Sequence, residues 1–277
     1  MYLIKRKSEL NPTVTIMDIY APEIAAKAQA GQFVIIRADE NGERIPLTIA
    51  EYDAVNGTVT VIFQIVGVST GKLNSLNQGE YISDIAGPLG KATQIDGIKR
   101  VAVVGGGVGC AIAYPVAKAF AASGTEVTSI VGFRSSELVI LENEFKKVSG
   151  KYLLMTDDGS AGQKGIVTDA LRALLDAGER FDRVIVIGPL VMMKYVALLT
   201  KQYGVPTVAS MNPIMVDGTG MCGGCRLTVG GKVKFACVDG PEFDAHQIDF
   251  DEAINRSGMY KAHEQGLREK HCNLFKK

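Results

Sequence analysis

An aspartate and three cysteines are the residues of this chain best placed to do chemistry. Asp217-Gly-Thr-Gly-Met-Cys222-Gly-Gly-Cys225 is followed by Cys237, a spacing of Asp-x4-Cys-x2-Cys-x11-Cys. Glycines accept positive φ, so they let backbone N–H groups turn toward a sulfur-rich anion. An x4 then x2 order of ligands is the spacing of one class of [2Fe–2S] loop, here with an aspartate first that can bind iron through oxygen. The competing reading is a zinc knuckle with mixed ligands, although zinc loops usually pair two knuckles and take Cys or His as the fourth ligand. Reduced cysteines with no metal are the plainest alternative. Cys110 reads as a small buried side chain, and Cys272 as a surface thiol.

A second candidate is Val103-Val104-Gly105-Gly106-Gly107-Val108-Gly109, which joins an apolar strand to a helical run. At the first strand–helix turn of a doubly wound domain, the glycines let the backbone approach a pyrophosphate at the helix N-terminus. Taken alone, such a run also fits a tight turn with no ligand. Gly132-Phe133-Arg134-Ser135 and Thr156-Asp157-Asp158-Gly159-Ser160 follow the next two strands. Asp157 and Asp158 would repel a 2′-phosphate and accept from ribose hydroxyls, which favours NAD(H) over NADP. Both also fit as solvated turn residues.

A third candidate lies upstream. Arg44-Ile45-Pro46-Leu47-Thr48 and Gly67-Val68-Ser69-Thr70-Gly71-Lys72 offer an arginine and a Gly/Ser/Thr-rich helix start. Together they suit a pyrophosphate gripped from two sides.

Three regions must position these groups. Residues 1–97 read as short strands (Thr13–Ile19, Gly31–Arg37, Thr58–Val66) parted by Asn41-Gly42, Asn56-Gly57 and Gln78-Gly79, the pattern of a small antiparallel barrel. Residues 98–210 alternate strand and helix: strands at Val101–Val104, Glu126–Val131, Tyr152–Met155 and Val184–Ile187, helices at Leu141–Val148, Val167–Ala177 and Val191–Tyr203. That alternation predicts a parallel sheet covered on both faces. Residues 211–277 hold the cysteine loop and a mixed-charge tail that could be a docking segment or a solvated helix. The expected fold class is α/β plus all-β.

Composition narrows the chemistry. Thirty basic residues balance thirty acidic ones in 277, leaving no field to hold nucleic acid or an anionic membrane. All three histidines (His246, His263, His271) lie near the end, so the body lacks the imidazole of a Ser-His-Asp or Cys-His hydrolase. The start, Met1-Tyr2-Leu3-Ile4-Lys5-Arg6-Lys7, lacks a signal-peptide apolar region. Val101–Ala122 is long and apolar, but its glycines, Pro115 and Lys118 argue against a membrane span. A cytoplasmic, reducing location follows as an expectation.

These motifs together make the chain resemble ferredoxin-NADP reductase-type flavoproteins over essentially its whole length. Arg44-x-Pro46-Leu47-Thr48 is similar to that family's FAD motif, and Gly67-x-Ser69-Thr70 to its second FAD-phosphate motif. Gly105–Gly109 resembles its dinucleotide loop, and Gly188-Pro189 with Met192-Met193 its last-strand motif. The family often has cysteine before that glycine; here Ile187 stands there. The cysteine loop and tail resemble two branches. One is the dihydroorotate dehydrogenase type B electron-transfer subunit, which normally has four cysteines. The other is the small subunit of NADH-dependent reduced ferredoxin:NADP+ oxidoreductase (or sulfide dehydrogenase), with aspartate as first ligand. The resemblance implies FAD, NAD(H) and a [2Fe–2S] cluster on Asp217, Cys222, Cys225 and Cys237. It also implies a heterodimer with a larger FAD/[4Fe–4S] subunit that exchanges electrons with ferredoxin. A metal-binding scaffold with a dead flavin site is the remaining alternative.

Overall fold

The structure, a computed structural model, describes residues 1–259. Its first part is a seven-stranded antiparallel sheet: β1 (Tyr2–Asn11), β2 (Val14–Tyr20), β3 (Phe33–Arg37), β4 (Ile45–Asp53), β5 (Thr58–Gln64), β6 (Tyr81–Ile82) and β7 (Asp84–Leu89). The spatial order is β6-β1-β2-β5-β4-β3-β7. Edge strands β6 and β7 are separated in the chain by Ser83 alone, so the sheet curls back on itself as a barrel. Helix α1 (Pro22–Ala25) follows β2, and α2 (Val68–Ser75) follows β5.

Strand β3 is apolar on both faces, and the alternation of its side chains explains why. Val34 and Ile36 enter the barrel core with Ile4, Met17, Ile19 and Phe63. Phe33 and Ile35 point the other way and join a second core. A strand buried on both sides reads as a continuous apolar run, which is what Phe33-Val34-Ile35-Ile36 is.

The second sheet contains β8 (Arg100–Gly106), β9 (Glu126–Phe133), β10 (Lys151–Thr156), β11 (Gln163–Lys164), β12 (Arg183–Ile187) and β13 (Thr207–Ser210), all parallel. Helices α3 (Gly109–Ala122), α4 (Glu142–Val148), α5 (Val167–Asp176) and α6 (Leu190–Gln202) connect them. The order β11-β10-β9-β8-β12-β13 places the reversal of winding between β8 and β12. Ligands of such sheets bind at the carboxyl ends of the strands beside that reversal. The apolar stretch Val101–Ala122 divides into most of β8 and α3, and among the described residues no helix is long and apolar enough to cross a membrane.

The last part is a hairpin, β14 (Arg226–Val229) and β15 (Lys232–Phe235), then α7 (Ala236–Asp239), β16 (Glu242–Asp244) and α8 (Phe250–Ser257). The first part of the mixed-charge tail packs against the second sheet of this chain. Strand β16 pairs antiparallel with β13 and extends the second sheet. Phe243, Ala245, Ile248 and Phe250 are buried, and Lys194 of α6 meets Asp251 of α8 at 2.6 Å. The apolar residues are scattered among charges, so no period exposed them in the sequence. The rest of the expected docking tail, with His263, His271 and Cys272, lies outside the described residues.

Candidate functional site

The cysteine loop owes its shape to a hairpin. Gly230 and Gly231, at φ +58° and +73°, turn β14 into β15 with Val229 facing Lys232. Two consecutive positive-φ glycines make the tight turn whose twist matches paired strands. Arg226 then pairs with Phe235, which returns Cys237 to Cys225 across the eleven intervening residues. Their sulfurs lie 3.2 Å apart, both buried.

A second donor pair forms in the loop itself. The Cys222 thiol donates to Asp217 Oδ1 at 3.2 Å. The N–H groups of Thr219, Met221 and Cys222 also donate to this carboxylate, at 3.1 to 3.2 Å. Burial pushes the carboxyl up, but the thiol and the N–H donors outweigh it and hold Asp217 down at about 2. Burial and the neighbouring Cys225 thiol push Cys237 up to about 12. Backbone N–H groups of Gly224 and Cys237 point at Cys222 Sγ and Cys225 Sγ, each at 3.5 Å. Among the described residues no three Cys, His, Asp or Glu converge on one point. The donors stand instead as two pairs. A single zinc needs four donors around one centre, whereas a [2Fe–2S] centre takes two donors on each iron. The set fits the two-iron group.

The loop is seated on the barrel. Gly218 is at φ +78°, and a Cβ there would meet Leu89 Cδ1 at 2.7 Å and Ile35 Cγ1 at 2.9 Å. Cys225 and Cys237 share one core with Phe33 and Ile35. Strand β3 pairs with β4 as Phe33↔Thr48, Val34↔Leu47 and Ile35↔Pro46. The cysteine loop thus lies one strand from Pro46, Leu47 and Thr48.

Arg44 stands just before β4, with Nη1 3.8 Å from Asp84 Oδ2 and a buried Nε that has no hydrogen-bond partner. Gly67 is the residue from which α2 starts, and Ser69 of its first turn donates to Glu43 Oε2 at 2.7 Å. That contact brings the helix start beside Arg44. The Thr70 hydroxyl accepts from the N–H groups of Val66 and Gly67 at 3.0 Å each, so it builds the turn rather than facing a ligand. An unfilled guanidinium N–H beside a helix N-terminus fits the diphosphate of FAD.

A cavity of about 600 Å³ opens at the carboxyl ends of the second sheet. Gly106, Gly107, Gly109, Arg134, Asp157, Gly188 and Pro189 all line it. A Cβ on Gly109 would stand 2.6 Å from Ile187 O, and one on Gly106 would stand 2.3 Å from Met192 Sδ. The end of β12 therefore touches the glycine loop across the point where the sheet's winding reverses. Gly105 sits behind the loop, over Cys110, whose thiol burial pushes well up. Asp158 is not on the cavity wall: its carboxylate accepts from Ser160 N and Oγ at 2.9 and 2.6 Å, closing its own turn. The barrel contributes Asn11, Thr13 and Gln64 to the wall, which sequence motifs did not single out. Arg37, with a buried and unpartnered Nε, was missed for the same reason.

Comparison with known proteins agrees with this layout. The iron-sulfur cluster binding domain of dihydroorotate dehydrogenase B matches residues 212–249. The chain is 49% identical to the uncharacterized protein in the adh 3′ region of Clostridium beijerinckii, over 95% of this chain and 92% of that one. It is 45% identical to the dihydroorotate dehydrogenase B (NAD(+)) electron transfer subunit homolog of Thermotoga maritima, with the same shares covered. A chain from the structure of the NADH-dependent reduced ferredoxin-NADP oxidoreductase, solved for insights into flavin-based electron bifurcation, superposes at TM-score 0.93. It is 42% identical and covers 98% of both chains. The chain belongs to the family of dihydroorotate dehydrogenase B-type electron transfer subunits and their oxidoreductase homologues, built on a ferredoxin-NADP reductase-like fold.

Proposed function

We propose that this chain is the NAD(H)-linked electron-transfer subunit of an electron-bifurcating, NADH-dependent reduced ferredoxin:NADP+ oxidoreductase, holding FAD, a [2Fe–2S] cluster and NAD(H). The observation that carries it is the close seating of Gly218 on Ile35 and Leu89, which puts the cysteine loop beside the strand pair of the flavin motif. When bound, FAD links two-electron hydride chemistry to one-electron transfer, and the cluster carries single electrons.

The chain's own residues supply placement. Arg44, with the Gly67–Thr70 turn, holds the diphosphate, while Pro46, Leu47 and Thr48 form the floor beside it. Gly105, Gly106, Gly107 and Gly109, with Gly188 and Pro189, admit a dinucleotide to the cavity. Asp157 favours a ribose hydroxyl over a 2′-phosphate there, and Arg134, at the end of the neighbouring strand, lines the same cavity. Asp217, Cys222, Cys225 and Cys237 hold the cluster. No titrating side chain is needed for hydride transfer, in keeping with a body that has no histidine before His246. The three duties divide along the chain near residues 97 and 210.

A larger FAD/[4Fe–4S] subunit, in contact with ferredoxin, is the proposed partner in a cytoplasmic heterodimer. Ile214, Val216, Met221 and Val238 are all exposed around the cysteine loop, Met221 at 89%. Apolar side chains gathered at an electron exit suit a protein–protein contact.

A second reading, the electron-transfer subunit of a dihydroorotate dehydrogenase, is favoured by the match at residues 212–249. Assays on the assembled complex separate the two. Ferredoxin-dependent transfer between NADH and NADP+ supports the first, and orotate-dependent NADH oxidation supports the second.

A further inference from the structure

Arg37 ends β3 beside the flavin motif, and none of the motifs includes it. Ile36 pairs with Ile45 across β3 and β4, so Arg37 and Arg44 continue the same cross-strand row. Opposed residues of antiparallel strands share a sheet face. On its other side Arg37 pairs with Asp84 of β7. The row therefore reads Arg44, Arg37, Asp84: two guanidiniums and one carboxylate. Asp84 lies 3.8 Å from Arg44, at the long limit of an ion pair. The Nε atoms of both arginines are buried, and neither has a hydrogen-bond partner. A guanidinium is always charged and carries only donors, so such an N–H is costly unless an acceptor reaches it.

The surrounding charges do not supply that acceptor. Glu43 accepts from Ser69, and Asp39 pairs with Lys72 at 3.2 Å. One carboxylate cannot neutralise two arginines, and the row keeps a surplus positive charge. The Gly67–Thr70 turn follows β5, which borders β4 on the side away from β3. The donors thus run in sequence across the sheet: helix start, Arg44, Arg37. A diphosphate has two anionic groups to set along such a row.

We propose that Arg37 is a second arginine of the flavin site, donating to the adenylate-side phosphate of FAD while Arg44 and the start of α2 take the other. This rests on the FAD reading given above. It makes Arg37 a determinant of FAD over FMN, because FMN lacks the second phosphate.

The test is titration of flavin-stripped full-length protein with FAD and with FMN, read by quenching of flavin fluorescence, for wild type, R44Q, R37Q and R37K. R37Q is expected to raise the Kd for FAD about 10- to 100-fold, the range of a lost charge-assisted hydrogen bond. Its Kd for FMN is expected to stay within about twofold. Unchanged FAD binding, or equal loss for both flavins, overturns the role of Arg37. If R37Q does not fold, R37K decides: a reduced FAD-over-FMN preference supports the proposal, and an unchanged one overturns it. Wild type that binds neither flavin, or R44Q that binds FAD normally, overturns the flavin site itself and the proposal with it.

Discussion

Gly218 of the cysteine loop approaches Ile35 of the barrel so closely that a Cβ on it would stand 2.9 Å from Ile35 Cγ1. Ile35 is the cross-strand partner of Pro46 in the flavin motif. One glycine therefore sets the separation between the proposed cluster and the proposed flavin. Its φ of +78° adds a second reason for glycine. Gly218→Ala is expected to cost about 1–3 kcal/mol through overpacking and left-handed strain. Loss of iron, or slower electron passage from flavin to cluster in rapid-mixing experiments, is the accompanying signature. A variant with wild-type stability and transfer would show that the loop is not held by this contact.

As the proposed first cluster ligand, Asp217 would donate less electron density to iron than a thiolate does. Replacing it with cysteine is expected to lower the cluster's midpoint potential by on the order of 100 mV, the direction opposite to ligand replacements that raise it. Redox titration followed by electron paramagnetic resonance measures this. An unchanged potential would leave the aspartate without an electronic role.

Gly109 tests the dinucleotide cavity separately from the flavin. A Cβ would press on Ile187 O at 2.6 Å, where the glycine loop meets the end of β12. Gly109→Ala is expected to weaken NADH binding at least tenfold and to leave flavin content intact, as judged by reduction kinetics and absorbance at saturating flavin. Loss of flavin with normal NADH affinity would misassign the cavity.

The two neighbouring aspartates separate just as clearly. Asp157 lines the cavity and Asp158 closes its own turn on Ser160. Asp157→Asn should shrink the preference for NADH over NADPH, and Asp158→Asn should change it little. Steady-state kinetics with both nucleotides provide the comparison.

Glu242 gives a pH signature. It joins β16 to the segment after the barrel by accepting from Thr93 Oγ1 at 2.7 Å. Burial pushes its carboxyl up. A raised folded-state value means the native state binds the proton more tightly, so this contribution is full at low pH. It is lost as pH rises from the ordinary carboxylate range through the raised value. Glu242→Gln should therefore gain in Tm relative to wild type as pH rises over that window. A constant difference in Tm across the window would contradict it.

Much of this site was legible because its chemistry is local. The run Phe33-Val34-Ile35-Ile36, the strand–glycine–helix turn at Gly105–Gly109 and the Asp217–Cys237 spacing each depend on neighbours in sequence. What escaped depends on tertiary pairing. Arg37 becomes part of the site only through register with Arg44 and Asp84. Asn11, Thr13 and Gln64 reach the cavity because the barrel docks there. The ten residues of β1 include three cations and alternate poorly, so no strand signal stands out there in the sequence. Strand β16 is three residues long, too short for any period to show.

The central claim is that one chain connects NADH to a two-iron centre through its flavin. The direct test is to mix the oxygen-free, purified chain with NADH and follow flavin absorbance and the electron paramagnetic resonance of the cluster, with iron and zinc determined on the same sample. The account predicts about two irons per chain, bleaching of the flavin, and a reduced-cluster signal that follows it and disappears in Cys225→Ser. A chain with one zinc, or with a flavin that bleaches while the cluster stays oxidised with its iron in place, would contradict it.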